Sequence, residues 1–236
     1  DVDYSTGNID FIGDVQITGD VRENFVVRAT GSITVDGIVE AATVESGGDL
    51  TITRGVVGDN RAFLKSRGCV RAKYLESCEI YAAKSVFADC IMGSRIFSDE
   101  SINVIGGRGS IVGGSLTAAV SIKANMIGAQ SGRRTELCLG EMAFTQHELQ
   151  SMAEKAEKME AEETELEAEC SRLESAGNAG EAARSRSRLS VLRLKMRKLA
   201  AKREQLEQVS ADISKCKLES GIIYPVTVLT MRSQSW

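Results

Sequence analysis

Proline and histidine are nearly missing from this sequence: Pro225 and His147 are the only ones in 236 residues. Aromatic residues are scarce too, at 5%, so a large irregular core built on bulky rings is not expected. The six cysteines form no CxxC pair and have no histidine near them, which gives no spacing for a zinc site. Their even number permits disulfides, but their scatter reads as a reducing compartment. No apolar run approaches the roughly 20 residues of a membrane-crossing helix. The net charge of −4 gives no reason to expect nucleic acid. Gly106-Gly107-Arg108-Gly109-Ser110 is glycine-rich but lacks the GK[ST] ending and a following helix pattern, so no nucleotide site is read there. No cofactor and no metal are expected.

What is present is a degenerate repeat from about Val26 to Leu139. Ile33, Leu50, Val70, Val86, Ile102 and Ile122 recur at spacings of 17, 20, 16, 16 and 20. Two residues on come Val35, Ile52, Ala72, Ala88, Val104 and Ala124. Further columns run through Val44, Leu64, Ile80, Ile96 and Leu116, and through Val39, Leu75, Ile91 and Ile111. A chain that repeats apolar positions at this interval stacks one coil on the next. No strict period of six is present, as a left-handed hexapeptide helix needs. The longer, variable coil favours a right-handed parallel β-helix with two or three short strands per coil. Cys78 shares a column with Ala42, Ala62, Ser94 and Gly114 and reads as a small core residue. In residues 1–24 the pairs Gly13-Asp14 and Gly19-Asp20 recur after six residues, too soon for a full coil. A hairpin or a partial first coil is expected there.

Three insertions interrupt the columns: Gly58 to Arg61, Gly106 to Gly109, and Ala129 to Arg134. They carry Arg61, Arg108, Arg133 and Arg134. Those arginines form either an anion-binding or docking edge, or ordinary solvated turns, which surface loops commonly resemble.

From residue 146 the period changes. Leu149, Met152, Ala156, Met159, Glu163, Leu166, Cys170 and Leu173 step alternately by 3 and 4, a heptad seam. Ser175 to Gly180 interrupts it, and it resumes at Leu189, Leu192, Met196 and Leu199. After a three-residue slip through Lys202 it continues at Leu206, Val209, Ile213 and Cys216. Folding at the break makes a long antiparallel coiled-coil hairpin with Gly177 and Asn178 at its tip. It sets Met152 near Leu206, Leu166 near Leu192 and Glu163 within reach of Lys195. The first arm is acidic and the second basic. Opposite charge fixes the pairing within the chain; its other use is attraction of a partner helix. His147, at the start of the first arm, reads as an exposed helix-start residue. Residues 219–236 return to strand character and are expected to cover the last coil's edge near Leu137–Leu139. The reading is therefore a β-helix over 1–144, a hairpin over 145–218 and a returning strand over 219–236.

The opening Asp3-Tyr4-Ser5-Thr6-Gly7-Asn8-Ile9-Asp10-Phe11 with its two Gly-Asp-Val units resembles the flagellar assembly protein A family. So do the segment from Ile127-Gly128 to Thr135-Glu136-Leu137 and the returning strand with Tyr224-Pro225. The resemblance implies a right-handed β-helix of a bacterial cytoplasmic protein, from a larger chain with a further N-terminal domain. The family usually places glycine after Tyr-Pro; here Val226 stands there, so the return turn is expected to differ. The family carries no catalytic residues to transfer.

Three functions follow as expectations. The first is a non-enzymatic scaffold or adaptor in flagellar assembly or its regulation. It would bind protein partners through the solenoid faces, the arginine edge and the tip at Gly177 and Asn178, with a homodimer as a further possibility and no direct membrane insertion. The second is a bactofilin-like self-assembling solenoid. The third is a polysaccharide-binding or -cleaving β-helix, which needs paired carboxylates or a calcium-binding cluster. Asp36, Asp49, Asp59, Asp89 and Asp99 occupy different coil positions and form no such column.

Overall fold

The computed structural model describes residues 1–130, 132–208 and 216–231. The chain forms two compact units, Asp1–Phe144 with Ala211–Trp236, and Thr145–Ser210. The first is a parallel β-solenoid of about 7 turns. Its strands are β1 (Ile9–Phe11), β2 (Val15–Ile17), β3 (Val26–Ala29), β4 (Ile33–Val35), β5 (Ile38–Val39), β6 (Thr43–Ser46), β7 (Leu50–Ser66), β8 (Val70–Ala82), β9 (Val86–Ser98), β10 (Ser101–Val104), β11 (Ser110–Ala118), β12 (Ser121–Ile127), β13 (Thr135–Leu139), β14 (Lys217–Ile223) and β15 (Thr227–Met231).

Every coil has three faces, and each face stacks at least one apolar column. Ile33, Leu50, Val70, Val86, Ile102 and Ile122 pair directly, one on the next. The third face runs from Ile9 through Val27, Val44, Leu64, Ile80, Ile96, Leu116 and Leu137 to Leu229. The second face fills a gap in the sequence pattern with Val56, which pairs Val39 on one side and Leu75 on the other. The residues of these columns from Val27 to Ile127 are fully buried. Parallel pairing with both apolar neighbours in the same column holds the register, since a one-residue slip would turn every column outward.

Of the two expectations for residues 1–24, a hairpin or a partial first coil, the structure forms the coil. β1 pairs β3, β2 pairs β4, and Val21 bridges Val39, all in parallel. The two Gly-Asp pairs are successive corners of one coil, so their six-residue spacing measures a face and not a coil. At these corners an aspartate caps the next coil. Asp49 accepts the backbone N–H of Cys69 at 2.8 Å and a guanidinium hydrogen bond from Arg71 at 3.1 Å. A side chain at Gly68 would have its Cβ 2.0 Å from the Asp49 carboxylate, so this corner requires glycine. The Cys69 N–H, and then Arg71, hold the Asp49 carboxyl below its ordinary value of 3.8. A lowered folded pKa stabilises the fold above that value and ceases to do so as pH falls through it. Asp49→Asn is therefore expected to lower stability at neutral pH and to flatten its fall below about pH 4 in denaturant titrations.

In the returning segment β15 pairs with β13, Leu137 opposite Leu229. The strand begins earlier than expected, however, and β14 stacks on β12 with Ile122 opposite Leu218. Cys216, assigned by its spacing to the helical seam, instead packs against the solenoid core and donates its thiol to the Ala119 carbonyl. β14 and β15 thus form a further coil, and among the described residues its edge is the last of the stack. Ile222, Ile223, Val228, Leu229 and Met231 are exposed on it. The turn between the strands holds Val226 at φ +68°, where its Cβ crowds the backbone. For a β-branched residue that conformation costs about 1–2 kcal/mol. Val226→Gly is expected to raise the denaturation midpoint, by about 1 kcal/mol of stability once glycine's extra chain entropy is subtracted.

The second unit holds most of α1 (Ala143–Ser175) and all of α2 (Ala179–Glu207). Its heptad positions from Met152 to Leu173 are buried or half-buried, with exposed residues at most positions between. On α2 the same spacing starts earlier than read, at buried Ala182 and Ser185, small side chains that an apolar count misses. Lys202 is exposed and Leu206 half-buried; Val209, Ile213 and Trp236 lie outside the described residues. Arg186 pairs with Glu174, and Arg193 with both Glu163 and Glu167. Glu163 thus meets Arg193 rather than Lys195: Arg193 flanks the seam residue Leu192, whereas Lys195 falls on the outer side. Among the described residues, no helix is long and apolar enough to cross a membrane.

Candidate functional site

The insertions leave the solenoid at two different corners. Asp59–Arg61 is a three-residue bulge between Val57 and Ala62 on β7, with Asp59 and Asn60 in the left-handed region that these residue types tolerate. Ser131 lies outside the described residues. The column from Ala62 continues through Cys78, Ser94 and Gly114 to Thr135, so Arg133 and Arg134, just before Thr135, lie at the same corner four rungs away. At about 4.8 Å per rung that is roughly 19 Å. Gly106–Gly109 lies instead between the first and second faces.

The four arginines therefore do not form one site. Arg61 pairs with Glu23 at 2.9 Å and Asp59 at 3.3 Å, and Arg134 with Glu136 at 2.7 Å. Neither is an uncommitted cation. Arg133 lies back along the corner, close beside Gly113, and its guanidinium is 4.0 Å from where a Gly93 Cβ would stand. A cavity of about 220 Å³ opens at that point, lined by Asn60, Cys78, Glu79, Gly93 and Arg95. The lining is not nucleophilic. Burial pushes the Cys78 thiol up to about 12, and its Sγ sits 3.5 Å from the Ser94 hydroxyl. Glu79 is already paired with Arg95. Arg108 and Arg133 carry no ion pair among the described residues.

Gly177 and Asn178 make the turn between the helices. Gly177 has φ +76°, its N–H donates to Glu174 O, and the Asn178 N–H donates to Leu173 O. That pair of bonds is the Schellman motif, which explains glycine there without any ligand. Asn178 then starts α2 through its carbonyl, which accepts the Ala182 N–H, and its side chain makes no capping bond.

Three features escape the sequence reading. A shallow groove of about 420 Å³ on the first face is lined by Arg71, Lys73, Phe87, Asp89, Asn103 and Ile105 among others. Its Arg71 guanidinium lies 5.1 Å from the Phe87 ring centre. Phe87 follows Arg71 by 16 residues, so the outward columns carried this signal where only inward ones were followed. Tyr81 and Phe97 likewise stack with centres 4.6 Å apart, and they pair across β8 and β9. Asp99 is buried and accepts the Phe144 N–H at 2.9 Å in the first turn of α1, where a carboxylate also meets the helix dipole favourably. His147 is half-buried rather than exposed. Among the described residues, Asp89 is the only acid lining the groove, and no group of His, Cys, Asp or Glu is arranged to hold a metal.

Compared with known proteins, the chain matches the family model described as the flagellar assembly protein A beta solenoid domain over residues 1–235. No curated protein and no solved structure matches it. With its coils, corners and returning strands all inside that span, the chain belongs to the flagellar assembly protein A β-solenoid family.

Proposed function

We propose that the chain is a non-enzymatic scaffold or adaptor in bacterial flagellar assembly or its regulation, acting in the cytoplasm. The observation that carries this reading is the family match over residues 1–235. In this reading the solenoid is a right-handed β-helix and a rigid platform, because every face is locked by a continuous buried column. The two helices act as an antiparallel coiled-coil hairpin. Arg186–Glu174 near the turn and Arg193–Glu163 farther from it support that direction, as does the shared heptad seam. Protein partners bind the solenoid faces and the hairpin. The grouping of polar side chains favours binding over chemistry: the groove offers one carboxylate, and the corner cavity offers a neutral thiol and a paired glutamate. Photo-crosslinking from exposed positions of the intact protein in a flagellated host tests this. Recovery of flagellar assembly or regulatory proteins supports it, and recovery of unrelated proteins alone contradicts it.

A second reading, end-to-end self-assembly, is favoured by one observation. β15 is a Thr-Val-Leu-Thr-Met strand without charge, at the open end of the described stack. Natural edges usually carry charges or proline against strand addition. Light scattering that grows without limit with concentration would favour this reading, and a constant mass of one or two chains would remove it.

A further inference from the structure

We infer that the outer face of α2 is a docking surface for an acidic amphipathic helix of a protein partner. This rests on the adaptor reading and states what the adaptor holds. Val191 and Leu194 are 51% and 54% exposed, and no other large apolar side chain of either helix is exposed among the described residues. Three residues apart, they share one face, and at 3.6 residues per turn that face lies opposite the seam through Leu192 and Met196. Five cations surround them. Arg188 and Lys195 lie one turn either side of Val191, Arg197 and Lys198 one turn beyond Leu194, and Arg184 two turns before Val191.

All five are exposed and carry no ion pair or hydrogen bond among the described residues. The arginines that α1 does neutralise, Arg186 and Arg193, show that its carboxylates reach only the near side of α2. Internal pairing therefore accounts for a minority of the basic charge on this helix. An apolar centre with a rim of one sign is complementary to a helix whose own apolar residues are flanked by Glu and Asp. A bilayer is a poorer occupant, since interfacial helices bury a broad apolar face and α1 carries an acidic one. A polyanion such as nucleic acid would leave Val191 and Leu194 unused.

The test uses the whole chain and a fluorescent helical peptide with leucines on one face flanked by glutamates. Its counterpart has lysine for every glutamate. Anisotropy should report binding of the acidic peptide only, weakening as salt rises. Val191→Ser with Leu194→Ser, and separately Lys195→Glu with Lys198→Glu, should each weaken it at least about tenfold. Circular dichroism should stay unchanged, because these residues lie off the seam. Absence of binding, or equal binding by the variants, overturns the proposal. So does sedimentation with phosphatidylserine vesicles, or salt-reversible self-association through a second copy's acidic α1, if the same substitutions abolish it. If the peptide fails while cross-linking still recovers flagellar proteins, this surface is wrong and the adaptor reading stands. The reverse result removes the flagellar role and leaves the surface.

Discussion

Gly114→Ala is expected to destabilise the solenoid by about 3 kcal/mol or more, the larger part of a small domain's stability. Two physical costs combine at this residue. Its φ of +88° lies in the left-handed region, which alanine adopts with strain. Its added Cβ would stand 2.2 Å from the Ser94 carbonyl oxygen and 2.7 Å from the Ser94 nitrogen. Those are backbone atoms of the coil beneath, held by the ladder between β9 and β11, so they cannot turn aside as a side chain would. Gly177→Ala separates the two costs. It shares a positive φ of +76° but meets nothing within 4 Å, so only about 1 kcal/mol should be lost. Denaturant titrations of both variants check the difference.

Ile96→Ala is expected to cost about 3 kcal/mol. Ile96 is fully buried between Ile80 and Leu116, so truncation leaves a void that coils above and below cannot fill without breaking their own pairing. Leu229 belongs to the same column at its open end and is 44% exposed. Leu229→Ala should therefore cost only about 1 kcal/mol, since little area returns to water. Comparable losses at both positions would mean that the column does not end where β15 ends.

The columns were readable because each vertical contact in a solenoid is also a sequence interval. Ile33 to Ile122 could be placed on one line before any geometry was known, and the structure pairs them as placed. Val56 escaped because the Asp59–Arg61 bulge shifts it by three residues relative to Leu64. The first coil stays open in the sequence between a hairpin and a partial coil because two corners of one coil carry the same Gly-Asp signature. The fate of Arg61 was not legible, for its partner Glu23 is 38 residues distant and set by how coils two apart align. Arg193 and Lys195 are both basic and two residues apart; only the rotation of α2 about its axis decides which one meets Glu163. The change of period placed two helices after the solenoid, yet charge counting overstated how much of the basic arm is satisfied between them.

The role we propose for this solenoid is that of a binding platform in flagellar assembly. Its most direct test is to delete the gene in its flagellated host and count and place flagella by electron microscopy. Complementation should use the intact protein, and the protein carrying Lys195→Glu with Lys198→Glu. Deletion should leave flagella missing or misplaced, and the intact protein should restore them. Unchanged number and placement of flagella after deletion would contradict it.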